Sequence, residues 1–274
     1  MPVHRLQVGG VSLHVVDEGN GPAVLLLHGF PDSSHLWRHQ IPALTSAGFR
    51  AIAPDLRGFG NSDKPKETEA YTLPLILQDL TGILDHLNIE RAHVVGHDWG
   101  AAAGWVLAAL HPECVTRLVA LSVGHPVAFT KAGLDQREKS WYMLLFQFRG
   151  IAEELLMREN WKLFRDLARH HPETEKWIED LKRPGALTAG LNWYRANVAL
   201  EMWHQEQQML PNVQASTLGI WSSGDVYLTE AQMLRSCEWV AGLWRYERIE
   251  GASHWMQLDQ PEHLNSMLIS FLVG

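Results

Sequence analysis

Apolar positions along the chain follow two alternating periods. Short runs at Val11–Val16, Ala23–Leu27, Arg50–Ala53, Arg91–Val95, Val115–Ser122, Ser216–Trp221 and Trp244–Ile249 are bounded by turn formers, the pattern of buried strands. Segments with apolar residues three and four apart lie between them: Leu73–Leu87, Trp99–Leu110, Thr229–Cys237 and about 261–271, each predicted as a helix. Punctuation agrees with these spans. Gly19-Asn20-Gly21-Pro22 is a turn between the first two strands, Asn88 stops the first helix, and His111-Pro112 stops the second. Strand and helix in alternation predict an α/β fold with a mostly parallel, doubly wound sheet. From about Pro126 to about Pro211 the pattern changes to amphipathic helical stretches rich in aromatics, with no clear strand. The expected organisation is therefore a core domain of residues 1–125 and 212–274, with an all-helical cap of residues 126–211 inserted into it.

Composition narrows the partners. The 274 residues are 46% hydrophobic and carry a formal net charge of −8, which argues against a nucleic-acid or anionic-membrane surface. No run approaches the ~18 apolar residues of a membrane span. The first residues lack the apolar stretch of a secretory signal. Cys114 and Cys237, the only cysteines, read as reduced thiols of the core and not as a disulfide framework or metal site. A cytoplasmic protein without metal or cofactor is the expectation, and the sequence leaves monomer and homodimer open. The 12 tryptophans fit either an aromatic-rich cavity or ordinary core filling; Trp141, Trp161, Trp177 and Trp203 suit the cap's own core.

One residue gives the chain its chemistry. Asp98 stands in Gly96-His97-Asp98-Trp99-Gly100, between the strand ending at Val95 and the helix opening at Trp99. That is the strand–turn–helix setting of a nucleophile elbow, G-x-S-x-G, with aspartate in place of serine. A serine alkoxide attacks acyl carbon. A carboxylate doing so would form a high-energy anhydride, but it can displace a leaving group from saturated carbon and form an alkyl ester. The exchange moves the expected substrate from esters to epoxides or alkyl halides. Alone, Asp98 would also fit a helix N-cap. Two further loops follow strands: Ser223-Gly224-Asp225-Val226, and Gly251-Ala252-Ser253-His254-Trp255. Loops beyond the carboxyl ends of the strands are where open α/β sheets hold reactive groups. A Gly–Asp pair is often only a turn, and most of the 15 histidines must serve other ends. Order and placement lift the set: Asp98 as nucleophile, His254 as base, Asp225 to orient the imidazole. His28-Gly29-Phe30-Pro31, after the strand Ala23–Leu27, supplies a fourth element. The amides of Phe30 and Trp99 are the expected oxyanion-hole donors.

With these residues in place the chain resembles the α/β-hydrolase superfamily, and within it the soluble epoxide hydrolases. The resemblance runs through His28-Gly29-Phe30-Pro31, the segment Asp55-Leu56-Arg57-Gly58-Phe59-Gly60-Asn61-Ser62-Asp63, Gly96-His97-Asp98-Trp99-Gly100 and Gly251-Ala252-Ser253-His254-Trp255. It implies the α/β-hydrolase fold. Two insertion segments, Trp141–Gln147 and Gly190–Arg195, resemble those in which epoxide hydrolases carry two ring-opening tyrosines, and these map onto Tyr142 and Tyr194. Phenols, with a reference pKa of ~10, suit the task because the alkoxide from an opened epoxide leaves poorly without a proton donor. The resemblance thus implies a small uncharged epoxide as substrate and a vicinal diol as product. Trp99, Phe146 and Trp255 are expected to line the substrate slot. His97, Asp55 and Arg57 receive no chemical role. A haloalkane dehalogenase is the alternative; it needs donors to a departing halide, of which the Trp99 indole is a candidate, but Phe30 has none on its side chain. A haloacid substrate is disfavoured because Trp99, not arginine, follows the nucleophile. A non-catalytic small-molecule binder on the same scaffold is the alternative from another class.

Overall fold

The computed structural model describes residues 2–198 and 210–274. Among these, one sheet holds β1 (Val3–Val8), β2 (Val11–Gly19), β3 (Ala23–Leu27), β4 (Arg50–Pro54), β5 (Ala92–His97), β6 (Val115–Leu121), β7 (Ser216–Ser222) and β8 (Trp244–Ile249). Their order across it is β1-β2-β4-β3-β5-β6-β7-β8. β2 runs antiparallel to both β1 and β4, and every other neighbouring pair is parallel. The helices are α1 (Gln40–Ser46), α2 (Leu73–His86), α3 (Trp99–Leu110), α4 (Pro126–Thr130), α5 (Leu134–Lys139), α6 (Tyr142–Phe146), α7 (Ile151–Leu167), α8 (Thr174–Leu181), α9 (Ala186–Asn197), α10 (Glu230–Arg235), α11 (Met256–Asp259) and α12 (Pro261–Val273). None is long and apolar enough to cross a membrane.

The central strands explain the unbroken apolar runs. Val24, Leu25, Leu26 and Leu27 of β3 and Val94 and Val95 of β5 have no exposed surface. Parallel strands covered on both faces need no polar alternation. Each such side chain contributes about 1.5–3 kcal/mol over its exposed state. α3 lies close to the sheet because its first turns are Gly, Ala, Ala, Ala and Gly. A Cβ on Gly104 would press on Leu118 and Val94.

The expected strands β3 and β8 and helix α3 have the bounds read from the sequence; the others shift by one to three residues. β1 was not expected. It is an edge strand whose residues alternate between exposed and half-buried, with His4 and Arg5 among them, so it carries no apolar run. The helix expected at Thr229–Cys237 divides into α10 and a tighter turn at Ser236–Trp239. Residues 122–198 hold helices and no strand. α4, the first of them, packs Val127 and Ala128 on Trp239, which follows β7 in the chain.

Other readings need correction. Neither cysteine belongs to the core: Cys237 is exposed and Cys114 half-buried. Cys237 lies in the tight turn Ser236–Trp239, and Cys114, just before β6, packs on the margin of the core. Trp161 and Trp177 are buried, but Trp141 is half exposed at 52%, because it precedes α6 on the outer side. Trp203 lies outside the described residues.

Candidate active site

Parallel neighbours β3, β5, β7 and β8 deliver their following loops to one edge of the sheet. At the end of β5 the chain turns sharply through Asp98, with φ 52° and ψ −123°, before α3 begins. The conformation is costly for a residue with a Cβ and is held by its surroundings. The flanking glycines allow it. A Cβ on Gly96 would come within 2.3 Å of the Gly100 carbonyl oxygen, and one on Gly100 within 2.1 Å of that of Leu27. The Asp98 side chain makes no cap bond to α3, so its carboxylate is free for other work.

The loop after β3 meets that carboxylate. The Phe30 amide donates to Asp98 Oδ1 at 2.9 Å. A Cβ on Gly29 would fall 2.1 Å from the same oxygen, which is why glycine stands there. The Phe30–Pro31 peptide is cis. His28 supports the loop: its Nδ1 pairs with the Gly29 carbonyl and its Nε2 accepts from the Leu56 amide, both at 2.9 Å.

His254 faces the other oxygen. Its Nε2 is 3.7 Å from Asp98 Oδ2, and its Nδ1 is 2.8 Å from Asp225 Oδ2. The second Asp225 oxygen accepts the amides of Tyr227 and Leu228 at 2.8 and 3.0 Å. The backbone of the histidine loop is held as well. His97 Nε2 pairs with the His254 carbonyl at 2.9 Å, and the Ser222 hydroxyl donates to the Ser253 carbonyl at 2.6 Å.

Charge follows from these contacts. Burial disfavours the His254 cation, but the Asp225 carboxylate and then Asp98 outweigh it and raise its pKa to about 10. Burial would raise Asp98, but the charge of His254, with the Trp99 amide, holds it below the usual carboxylate value. His97 is driven down to about 3 by burial, then by the charge on His254, so it is a neutral donor to the loop.

Tyr142 opens α6 and Tyr194 lies in α9, both buried, with ring centroids 6.0 Å apart. Burial, then the charge on Asp98, pushes both phenols well above their ordinary pKa, so both keep their protons. Arg195 fixes the two helices together: it donates to the Phe146 carbonyl and forms two bonds to Glu153. Asp98, His254, Tyr142 and Tyr194 line one cavity of about 50 Å³. Phe30, Phe146 and Trp255 are on its wall, and no Lys or Arg is among the described residues that line it.

One expected role resolves differently, and two residues given no chemical role prove structural. Trp99 does not line the cavity; its ring packs on Tyr194 and Trp193, 5.1 and 5.8 Å between centroids. Asp55 accepts the Ser34 and Asn61 amides and pairs with His14. Arg57 forms a two-bond ion pair with Asp79.

Two residues were missed. Asp32, directly after His28-Gly29-Phe30-Pro31, is buried and accepts the indole N–H groups of Trp177 and Trp255 at 2.7 and 3.0 Å. Burial is the larger effect, and it raises the Asp32 carboxyl to about 7 against those two bonds. Tyr227, two residues past Asp225, lines the cavity with its ring 5.1 Å from that of His254. Their signal in the sequence was proximity to the motifs.

The chain matches the family described as alpha/beta hydrolase fold over residues 22–261. It is 34% identical to Epoxide hydrolase A of Mycobacterium tuberculosis, over 100% of this chain and 98% of that protein. It is 33% identical to Epoxide hydrolase 3 of Xenopus tropicalis, over 98% of this chain and 76% of that one. Among solved structures, the Bacillus megaterium epoxide hydrolase in complex with an inhibitor superposes with a TM-score of 0.90 at 28% identity, covering 99% and 100% of the two chains.

Proposed function

The chain belongs to the epoxide hydrolase family of α/β-hydrolases and is a hydrolase, and we propose that it converts small uncharged epoxides to vicinal diols through a covalent ester on Asp98. Residues 126–211 act as the cap and residues 1–125 with 212–274 as the core. The observation that carries the reading is that Asp98 and His254 share one cavity with two protonated phenols, Tyr142 and Tyr194.

The epoxide oxygen takes hydrogen bonds from Tyr142 and Tyr194. Asp98 Oδ2, whose partner Oδ1 is held by the Phe30 amide, attacks one ring carbon and inverts it. The C–O ring bond breaks and one tyrosine gives its proton to the alkoxide. In the ester His254 releases its resting proton to solvent, to be regained after turnover; the neutral imidazole, oriented by Asp225, then takes a proton from water, and the oxygen of that water adds to Cγ of the ester. The Phe30 and Trp99 amides hold the oxyanion on Oδ1. Collapse breaks the bond from Cγ to Oδ2. The two protons of the water end on the second diol oxygen and on the tyrosine, and Asp98 is regenerated. A tight wall without Lys or Arg supports a small, uncharged substrate.

Halide release is less well supported. The indole hydrogen of Trp255 is committed to Asp32 and the Phe30 side chain has no donor, which leaves Trp99 alone to cradle a departing halide. The decisive experiment is a single turnover of styrene oxide in heavy-oxygen water. The first diol should carry no label, because its new oxygen comes from Asp98, and label should appear on later turnovers. Immediate label means direct attack by water. Halide from a bromoalkane without diol from any epoxide would favour the dehalogenase.

A further inference from the structure

The two phenols and the triad leave one cavity-lining polar side chain without a part in the reaction, Tyr227. We propose that Tyr227 is a specificity-determining wall: its ring closes the cavity on the His254 side, so that epoxides substituted on one carbon are accepted and those substituted on both carbons are excluded. The inference rests on the epoxide hydrolase reading.

The wall is fixed at both ends. At its backbone, the Tyr227 amide is held by Asp225 Oδ1 at 2.8 Å. At its tip, the hydroxyl donates to the carbonyl of Leu167, the last residue of α7. Between these anchors the ring stands edge-on to His254, Tyr142 and Trp255, with centroids 5.1, 5.8 and 5.8 Å away. A side chain bonded at its tip and packed edge-on against three rings cannot leave its rotamer cheaply. The backbone bond also ties the wall to the carboxylate that orients the base.

Another part of the wall is built differently. There Phe30 faces Phe146 and Phe164 at 5.8 and 6.4 Å between centroids, and all three rings line the space. These are purely hydrocarbon rings without a hydroxyl to anchor, suited to holding an aryl or alkyl substituent edge to face. In-line attack from Asp98, with the ring oxygen held by Tyr142 and Tyr194, fixes the epoxide and sends substituents on its two carbons to opposite sides. One goes among the phenylalanines. A second, trans to it, meets Tyr227.

The test compares kcat/KM for styrene oxide and for trans-β-methylstyrene oxide, which adds a single methyl on the second carbon. The wild-type protein should prefer styrene oxide by about tenfold or more, the usual penalty for one misplaced carbon in a tight pocket. Tyr227→Ala should bring the ratio towards unity, and Tyr227→Leu should move it part of the way. Tyr227→Phe keeps the ring, loses only the bond to Leu167, and should retain the preference. Equal use of both substrates by the wild type overturns the inference. So does an unchanged ratio in Tyr227→Ala, or in Tyr227→Leu should the alanine variant not fold, with folding checked by thermal unfolding. If the wild type opens neither epoxide, the hydrolase reading falls and takes the inference with it; an unchanged ratio in an active enzyme removes the inference alone.

Discussion

Asp98 Oδ2 and His254 Nε2 stand 3.7 Å apart, a charge contact too long for a hydrogen bond, while the other imidazole nitrogen is bonded to Asp225 at 2.8 Å. The imidazole is therefore oriented by Asp225 and only attracted by Asp98. The resting pair is ionic: His254 is protonated up to about pH 10, and Asp98 is ionised well into acid.

That charge state predicts opposite demands from the two half-reactions. Alkylation uses ionised Asp98 and tolerates the imidazolium. Ester hydrolysis needs His254 neutral. Alkylation also removes the Asp98 charge that helps to raise His254, so in the ester its pKa falls below the resting value of about 10. Loss of the ester should quicken about tenfold per pH unit below that pKa. Rapid-quench samples analysed by intact mass should show the alkyl-enzyme accumulating as pH falls. His254→Gln should form the ester and keep it at every pH.

Tyr142 and Tyr194 are buried donors with no competing carboxylate bond, so their loss should strike ring opening and leave the fold. Each single change to phenylalanine is expected to slow alkylation of Asp98 by about 10²–10³-fold, the range for one buried donor to a developing oxyanion. The double variant should be slower still, read as the rate of mass gain in a single turnover. A double variant alkylated at the normal rate would remove both residues from the mechanism.

Gly29→Ala tests how closely the loop after β3 is fitted to the nucleophile. The new methyl would fall 2.1 Å from Asp98 Oδ1 and 2.5 Å from its Cβ. The carboxylate must shift by an ångström or so, and a displacement of that size costs about 10²-fold in rate. Steady-state turnover should drop by that factor with at most a modest loss of thermal stability.

Asp32 predicts a pH-dependent stability. Its carboxyl rises on folding from 3.8 to about 7, so the folded state binds the proton more tightly than the unfolded state. The stabilisation is complete below pH 3.8 and is lost as pH rises to 7, for a total on the order of a few kcal/mol. Asp32→Asn does not titrate. Its melting temperature relative to wild type should therefore climb between pH 4 and pH 7 and level off above. A difference independent of pH would mean that Asp32 does not change protonation in that range.

What the sequence made legible has a physical basis. β3 and α3 were readable because one is an unbroken apolar run and the other is a small-residue helix ended by His111-Pro112. That Asp98, Asp225 and His254 meet was readable because each follows a readable strand, and parallel strands send such loops to the same edge. β1 was hidden because an edge strand with one wet face needs no apolar run. Asp32 was hidden for another reason. Its partners Trp177 and Trp255 lie 145 and 223 residues away, and no local period records a bond of that span. Trp99 was misplaced because adjacency to Asp98 in the chain says nothing of which way a helix turns its next side chain. Here it turns towards Tyr194 and Trp193.

The glycines around the elbow have a chemical consequence. Gly29, Gly96 and Gly100 hold position 98 by the atoms they lack, and the Phe30 amide awaits whatever oxygen is placed there. Nothing in that frame specifies an aspartate. A shorter nucleophile at the same address would inherit the same turn, the same amide and the same imidazole. On the proposed mechanism, exchanging that one residue would redirect the site from saturated carbon to an acyl group with the backbone unchanged.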